Sequence, residues 1–234
     1  MTAPLLRTDG LTAFYGDAQA LFGVDFELGE GEIVAIIGAN GAGKSTFMNS
    51  VVGLVKSKAE QVLFKGEAIG ALPAGEIVKR GISLVPEGRR LFPSLSVQEN
   101  LGVGASAGRA GPWSLQRVYK LFPILEQKRG SPATALSGGQ QQMVAIGRAL
   151  MSNPTLLLCD ELSLGLAPIV IKEIYDALPA LCTEGMTVVI VEQDIAMATR
   201  VSRRVYCFQE GRVALQGRSD ELTREQISRA YFGG

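Results

Sequence analysis

The chain has 234 residues, of which 47% are hydrophobic, enough to bury a sizeable core in one domain or in a domain with a lobe. Its 23 Lys and Arg balance 23 Asp and Glu, so no net field draws it to nucleic acid or to an anionic lipid surface. Histidine is absent and the three cysteines, Cys159, Cys182 and Cys207, stand far apart; neither a disulfide framework nor a zinc site is suggested, and the thiols read as small buried hydrophobes.

The opening residues Met1 to Arg7 lack the basic-then-apolar layout of a signal peptide, so the chain reads as unexported. From Leu5 to Leu28 the apolar residues tend to alternate, as in Val24-Asp25-Phe26-Glu27-Leu28, with a break at Tyr15-Gly16-Asp17; this predicts antiparallel strands. Glu32 to Ile37 is instead a continuous apolar run, the mark of a strand covered on both faces of a parallel sheet. Directly after it, Gly38-Ala39-Asn40-Gly41-Ala42-Gly43-Lys44-Ser45-Thr46 fits G-x-x-x-x-G-K-[S/T] and leads into a helix to about Val52. The glycines let consecutive N–H groups curl towards a phosphate, and the helix N-terminus adds partial positive charge. Lys44 is placed to reach the β- and γ-phosphates of a nucleoside triphosphate, and Ser45 to hold Mg²⁺.

Further apolar runs at Ile82 to Val85, Thr155 to Cys159 and Thr187 to Val191 alternate with helix-like segments, which predicts an α/β fold with a mostly parallel sheet. All of these runs are far shorter than the ~20 residues of a spanning helix, so work at a membrane requires other chains to cross it. Between Pro86 and about Ala149 the texture changes: Gly102 to Gly111 is rich in glycine and alanine, Trp113 to Phe122 has helical spacing, and Ser131-Pro132 reads as a break. This predicts a mainly helical insertion. Within it, Leu136-Ser137-Gly138-Gly139-Gln140 precedes a helical stretch from Gln141 to Met151. Ser137 can cap that helix, and Gly138 and Gly139 would let bare amides approach an anion. One chain therefore carries two phosphate-seeking helix starts, although one suffices for one nucleotide. The strand from Thr155 ends in a carboxylate pair, Asp160 and Glu161.

Leu136 to Gln140 matches the signature of ABC-type ATPases, and with the loop at 38 to 46 the resemblance spans the whole chain. It implies a single P-loop ABC-type ATPase domain over residues 1–234: a RecA-like core of residues 1–86 and 150–234, an N-terminal antiparallel β subdomain, and an inserted helical lobe at about 87–149. It also implies that two subunits pair head to tail, each ATP lying between one phosphate loop and the other subunit's Ser137, Gly138, Gly139 and Gln140. On this resemblance Asp160 binds Mg²⁺ through water, Glu161 polarises the attacking water, and Tyr15 stacks on adenine. Ser163 to Pro168 would cross the dimer interface, with Leu162 where proline is usual.

Two positions depart from the general pattern. Glu87 follows Pro86 where most members carry glutamine; its carboxylate remains a hard oxygen ligand but adds negative charge near the γ-phosphate. Gln193 stands in place of a γ-phosphate-sensing histidine, and it donates a hydrogen bond without carrying a proton. One explanation is a degenerate site that turns ATP over slowly. The other is a subfamily habit: Pro86 to Pro93, Ser163 to Pro168 and Val191 to Asp194 resemble the second ATPase component of branched-chain amino-acid importers, where Glu87 and Gln193 are expected. That resemblance implies ATP hydrolysis coupled to import, with Lys44, Glu161 and Gln193 as catalytic residues. It implies a paralogous, histidine-bearing ATPase in a heterodimer, with a homodimer as the other possibility, and two membrane-spanning permease subunits touching Pro86 to Asn100. A secreted solute-binding protein, a place on the cytoplasmic face of the membrane, and no nucleic-acid partner complete the expectation. Importers of urea or short amides share part of these phrases. The soluble ABC-type ATPases would need a coiled-coil insertion or a second ATPase half, which this sequence does not present.

Overall fold

The computed structural model describes residues 3–232, so Met1 and Thr2 of the opening segment lie outside the described residues. The alternating N-terminal stretch forms two long strands, β1 (Leu6–Tyr15) and β2 (Ala18–Leu28), paired antiparallel about the turn at Gly16 and Asp17. β3 (Ile33–Ile37) follows and is buried along its whole length. Helix α1 (Lys44–Val51) leads to short strands β4 (Val62–Phe64) and β5 (Glu67–Ala68), helix α2 (Ala74–Arg80) and strand β6 (Ile82–Val85). Four helices come next: α3 (Val97–Ala105), α4 (Leu115–Leu121), α5 (Pro123–Gln127) and α6 (Gly138–Leu150). The chain then alternates through β7 (Leu156–Asp160), α7 (Pro168–Thr183), β8 (Thr187–Glu192) and α8 (Ile195–Val201). It ends with the hairpin β9 (Arg204–Gln209) and β10 (Arg212–Arg218) and helix α9 (Arg224–Phe232).

Two sheets result. The first is antiparallel in the order β2-β1-β4-β5; the second runs β10-β9-β3-β8-β7-β6, parallel throughout except for its edge strand β10. Side chains of successive strand residues point to opposite faces, and both faces of the second sheet are covered. Ala35, Leu157 and Ile190 join a core with α3–α7, whereas Val34, Leu158 and Val189 join a core with the first sheet and α1. That double coverage is why these strands read as unbroken apolar runs.

The second core also seats the helix that opens the phosphate loop. Phe47 of α1 packs its ring 5.0 Å from Phe26 of β2 and 5.5 Å from Phe208 of β9. Such pairs add about 0.5–1.5 kcal/mol each beyond area burial. α1 is thereby held at the end of β3, where the strand's carboxyl edge delivers the chain. α3–α6 lie between β6 and β7 in sequence, and α3 opens with a capping box in which Ser96 Oγ accepts from Glu99 N at 3.2 Å and Glu99 Oε2 accepts from Ser96 N at 2.8 Å. Among the described residues, no helix is long and apolar enough to cross a membrane.

Candidate functional site

Strand ends β3, β6, β7 and β8 all point the same way, so the loops after them converge. Asn40, Gly41, Gly43, Lys44, Ser45 and Thr46 from the first loop share a cleft of about 690 Å³ with Glu87, Glu161 and Gln193 from the others. Four separate stretches of sequence thus meet around one space.

Lys44 is only 4% exposed; its Nζ donates to Gly38 O at 2.7 Å and Ala39 O at 3.0 Å and lies 3.8 Å from Glu161 Oε1. Burial pulls the ammonium below the usual lysine range, while Glu161, Asp160 and Glu87 push it back up. Gln193 Nε2 donates to both Glu161 oxygens, at 2.9 and 3.0 Å. The Glu161 carboxylate is thus aimed at the loop by an amide on one side and an ammonium on the other. Its backbone sits at φ 51, in the left-handed region. For a non-glycine residue that costs about 1–3 kcal/mol and persists only where surrounding bonds over-determine it.

Asp160, at the end of β7, is buried near Ser45, and its Oδ1 has no partner. Burial raises the carboxyl to about 6, with neighbouring Glu161 and Glu87 acting in the same direction. An orphaned carboxylate oxygen beside a serine hydroxyl, with Glu87 lining the adjoining cleft, is a hard-oxygen donor set suited to a divalent cation that keeps its waters. Among the described residues no three of His, Cys, Asp and Glu form a closed metal cage. A cation here would complete its shell with substrate phosphate and water.

The remaining expected residues lie elsewhere. Ser137 caps α6, accepting from Gln140 N at 3.3 Å while Ser137 N donates to Gln140 Oε1 at 3.1 Å. None of Ser137, Gly138, Gly139 and Gln140 lines the cleft that holds Lys44 and Glu161. Gly139 is buried, and a Cβ there would meet Val170 Cγ1 at 2.6 Å; close packing against α7, beyond any approach to an anion, requires this glycine. Tyr15 is 53% exposed and lines a different groove with Asn49, Leu54 and Pro86, so the fold does not bring it into the phosphate cleft.

Sequence reasoning did not single out Gln19, Ala20, Phe22, Glu210 and Gly211, which also line the cleft, as does Leu164 of the segment expected at the dimer interface. Glu210-Gly211 turns the β9–β10 hairpin, and Gly211 N donates to Ala42 O at 3.0 Å, bracing the phosphate loop. A Glu-Gly pair between two strand-like runs is a legible turn signal, but its landing place depends on the sheet order.

A phosphate-binding loop on a parallel sheet, facing a paired Asp and Glu and an amide donor, defines a P-loop ATPase cassette. Residues 21–163 match the family model described as ABC transporter, and the chain belongs to that family. Cassettes of this family hydrolyse ATP to drive transport, and this chain is one of them. It is 42% identical to the high-affinity branched-chain amino acid transport ATP-binding protein BraG of Pseudomonas aeruginosa, over 98% of this chain and 100% of that one. It is 31% identical to the lipopolysaccharide export system ATP-binding protein LptB of Haemophilus influenzae, over 98% and 97%. A dimeric ATP-binding cassette solved in a post-hydrolysis state with ADP and phosphate superposes with a TM-score of 0.82 at 29% identity, covering 92% of this chain and 98% of that one.

Proposed function

We propose that this chain is the ATP-hydrolysing subunit of an importer for branched-chain amino acids, paired head to tail with a paralogous, histidine-bearing ATPase. The observation that supports pairing is the separation, within one chain, of Ser137–Gln140 from the cleft of Lys44 and Glu161. A second subunit would supply the missing donors to the γ-phosphate. The full-length likeness to BraG supports the branched-chain solute class.

In this reading Lys44 and the amides of residues 38–46 bind the β- and γ-phosphates, and Tyr15 stacks on adenine. Ser45 and Asp160, with Glu87 beside them, hold Mg²⁺, which neutralises charge on the phosphates when bound. Glu161 accepts a proton from the attacking water, and Gln193 keeps its carboxylate aimed. Gln193 supplies a hydrogen bond but no proton, so this site and the partner's histidine-bearing one are unequal.

The chain would work on the cytoplasmic face of the membrane with two permease subunits and, through them, a secreted solute-binding protein. We read residues 87–149 as the lobe that carries permease contact. A groove of about 850 Å³ between this region and α2 is lined by apolar side chains with Lys79, Arg90 and Arg148 and no carboxylate, which suits a helix bearing acidic residues.

The test is the ATPase rate of the chain alone, with the histidine-bearing partner, and with Gln193→His. Turnover that appears with the partner and changes little in Gln193→His upholds the unequal pair. Brisk hydrolysis by the lone chain returns the homodimer and removes the main mechanistic support for a two-ATPase importer.

A further inference from the structure

Three consecutive residues at the end of β8 each bind the segment that carries Glu161. Val191 O accepts from Glu161 N at 3.0 Å. The Glu192 carboxylate accepts from Ser163 N at 3.3 Å and from Ser163 Oγ at 2.7 Å. Gln193 Nε2 donates to the Glu161 carboxylate. Residues 161 and 163 are thus tied to 191, 192 and 193 by backbone, side chain and side chain in turn.

Glu192 is the unexplained member. It is 1% exposed, and its remaining partner, the equally buried Tyr175 of α7, donates its hydroxyl to the same carboxylate. Burial beside Glu192 pushes the Tyr175 phenol upward, which keeps it a donor. Burial raises the Glu192 carboxyl above its usual range, and the bonds from Tyr175 and Ser163 pull it back down. No lysine or arginine is among its partners. A buried carboxylate held by neutral donors is an expensive arrangement where an apolar side chain would pack at lower cost. What it does secure is Ser163, two residues beyond a Glu161 whose left-handed backbone requires constraint from both sides.

We propose that Glu192 is a positioning residue for hydrolysis: by fixing Ser163 it keeps the Glu161 carboxylate in register with Gln193 and the phosphate loop. The inference rests on the reading of Glu161 as the base. Glu192 is buried and does not line the cleft; it acts through the loop. Its partners Ser163 and Tyr175 belong to the same device.

The experiment compares Glu192→Gln, Tyr175→Phe, Ser163→Ala and the double variant Glu192→Gln/Ser163→Ala in the full chain, in the assembly that turns over ATP, with a fluorescent ATP analogue to check binding. Glu192→Gln keeps the volume but replaces one acceptor oxygen with an amide donor. The expected result is a kcat lowered by about tenfold or more, since small misplacements of a reacting group are that costly, with KM for ATP within about twofold. Tyr175→Phe, which removes one hydroxyl, lowers kcat less and again spares KM. The double variant is no slower than Glu192→Gln alone, because the bond to Ser163 is already lost. A kcat within about twofold of the parent in Glu192→Gln, or losses that multiply in the double variant, overturns the inference. Glu161→Gln is the control: if it keeps the parental rate, the reading of Glu161 as base fails. If it abolishes turnover while Glu192→Gln and Tyr175→Phe do not slow it, only the positioning role fails.

Discussion

Asp160 carries the most pH-sensitive chemistry in the cleft. Its carboxyl is raised from 3.8 to about 6 because burial disfavours the anion. Between those values the folded protein holds a proton that the unfolded chain has lost, so stability falls as pH rises through this window and stays low above it. The full penalty is up to about 3 kcal/mol. Asp160→Asn should therefore raise the melting temperature of the metal- and nucleotide-free protein at pH 8, with a gain that shrinks towards pH 5. The same variant should lose Mg²⁺-dependent ATPase activity. Equal melting temperatures for variant and parent at pH 8 would show that the carboxyl is not strained by its surroundings. The Asp-Glu pair was legible in the sequence as a strand end with two carboxylates. That one is buried with an orphaned oxygen and the other is gripped by Gln193 depends on β7 lying between β6 and β8.

At the scale of elements, the β9–β10 hairpin shows how a segment without chemistry of its own shapes the site. Gly211 sits at φ 72, its amide on Ala42 O and its carbonyl on Phe22 N at 2.9 Å. A Cβ there would meet Ala20 O at 2.3 Å, so Gly211→Ala must push the hairpin away from both β2 and the phosphate loop. The expected cost is about 1–3 kcal/mol of stability, with weaker ATP binding, measurable by thermal unfolding and calorimetric titration. Unchanged ATP affinity would mean that the loop keeps its shape without the brace. The phosphate loop was legible because a strand, three glycines, a lysine and a helix follow one another locally. The hairpin contact joins residues about 170 positions apart, and local pattern carries no record of it.

The whole molecule places its two glycine-rich helix starts apart, so that in the proposed head-to-tail pair each would be half of a nucleotide site. Glu161→Gln keeps the size and the hydrogen bond to Gln193's side chain within reach while removing the proposed base. It should trap an ATP-bound dimer that elutes at twice the subunit mass and dissociates when ATP is withdrawn. A variant that hydrolyses ATP at the parental rate would assign the base to another residue.

Local order along the chain determined much of this protein: a buried strand feeding a phosphate loop, a serine-capped signature helix, and a strand closing on two carboxylates are each contained within about a dozen residues. The α/β class followed from the same runs, because double coverage of the parallel sheet leaves every strand position apolar. Tertiary structure alone decided which strand ends lie side by side, and so brought Gln193 to Glu161, Glu192 to Ser163 and Gly211 to Ala42. It also set Tyr15 on a neighbouring groove and packed Gly139 against α7. Strand order and helix packing are set by the summed burial of both cores, a property of all the residues together.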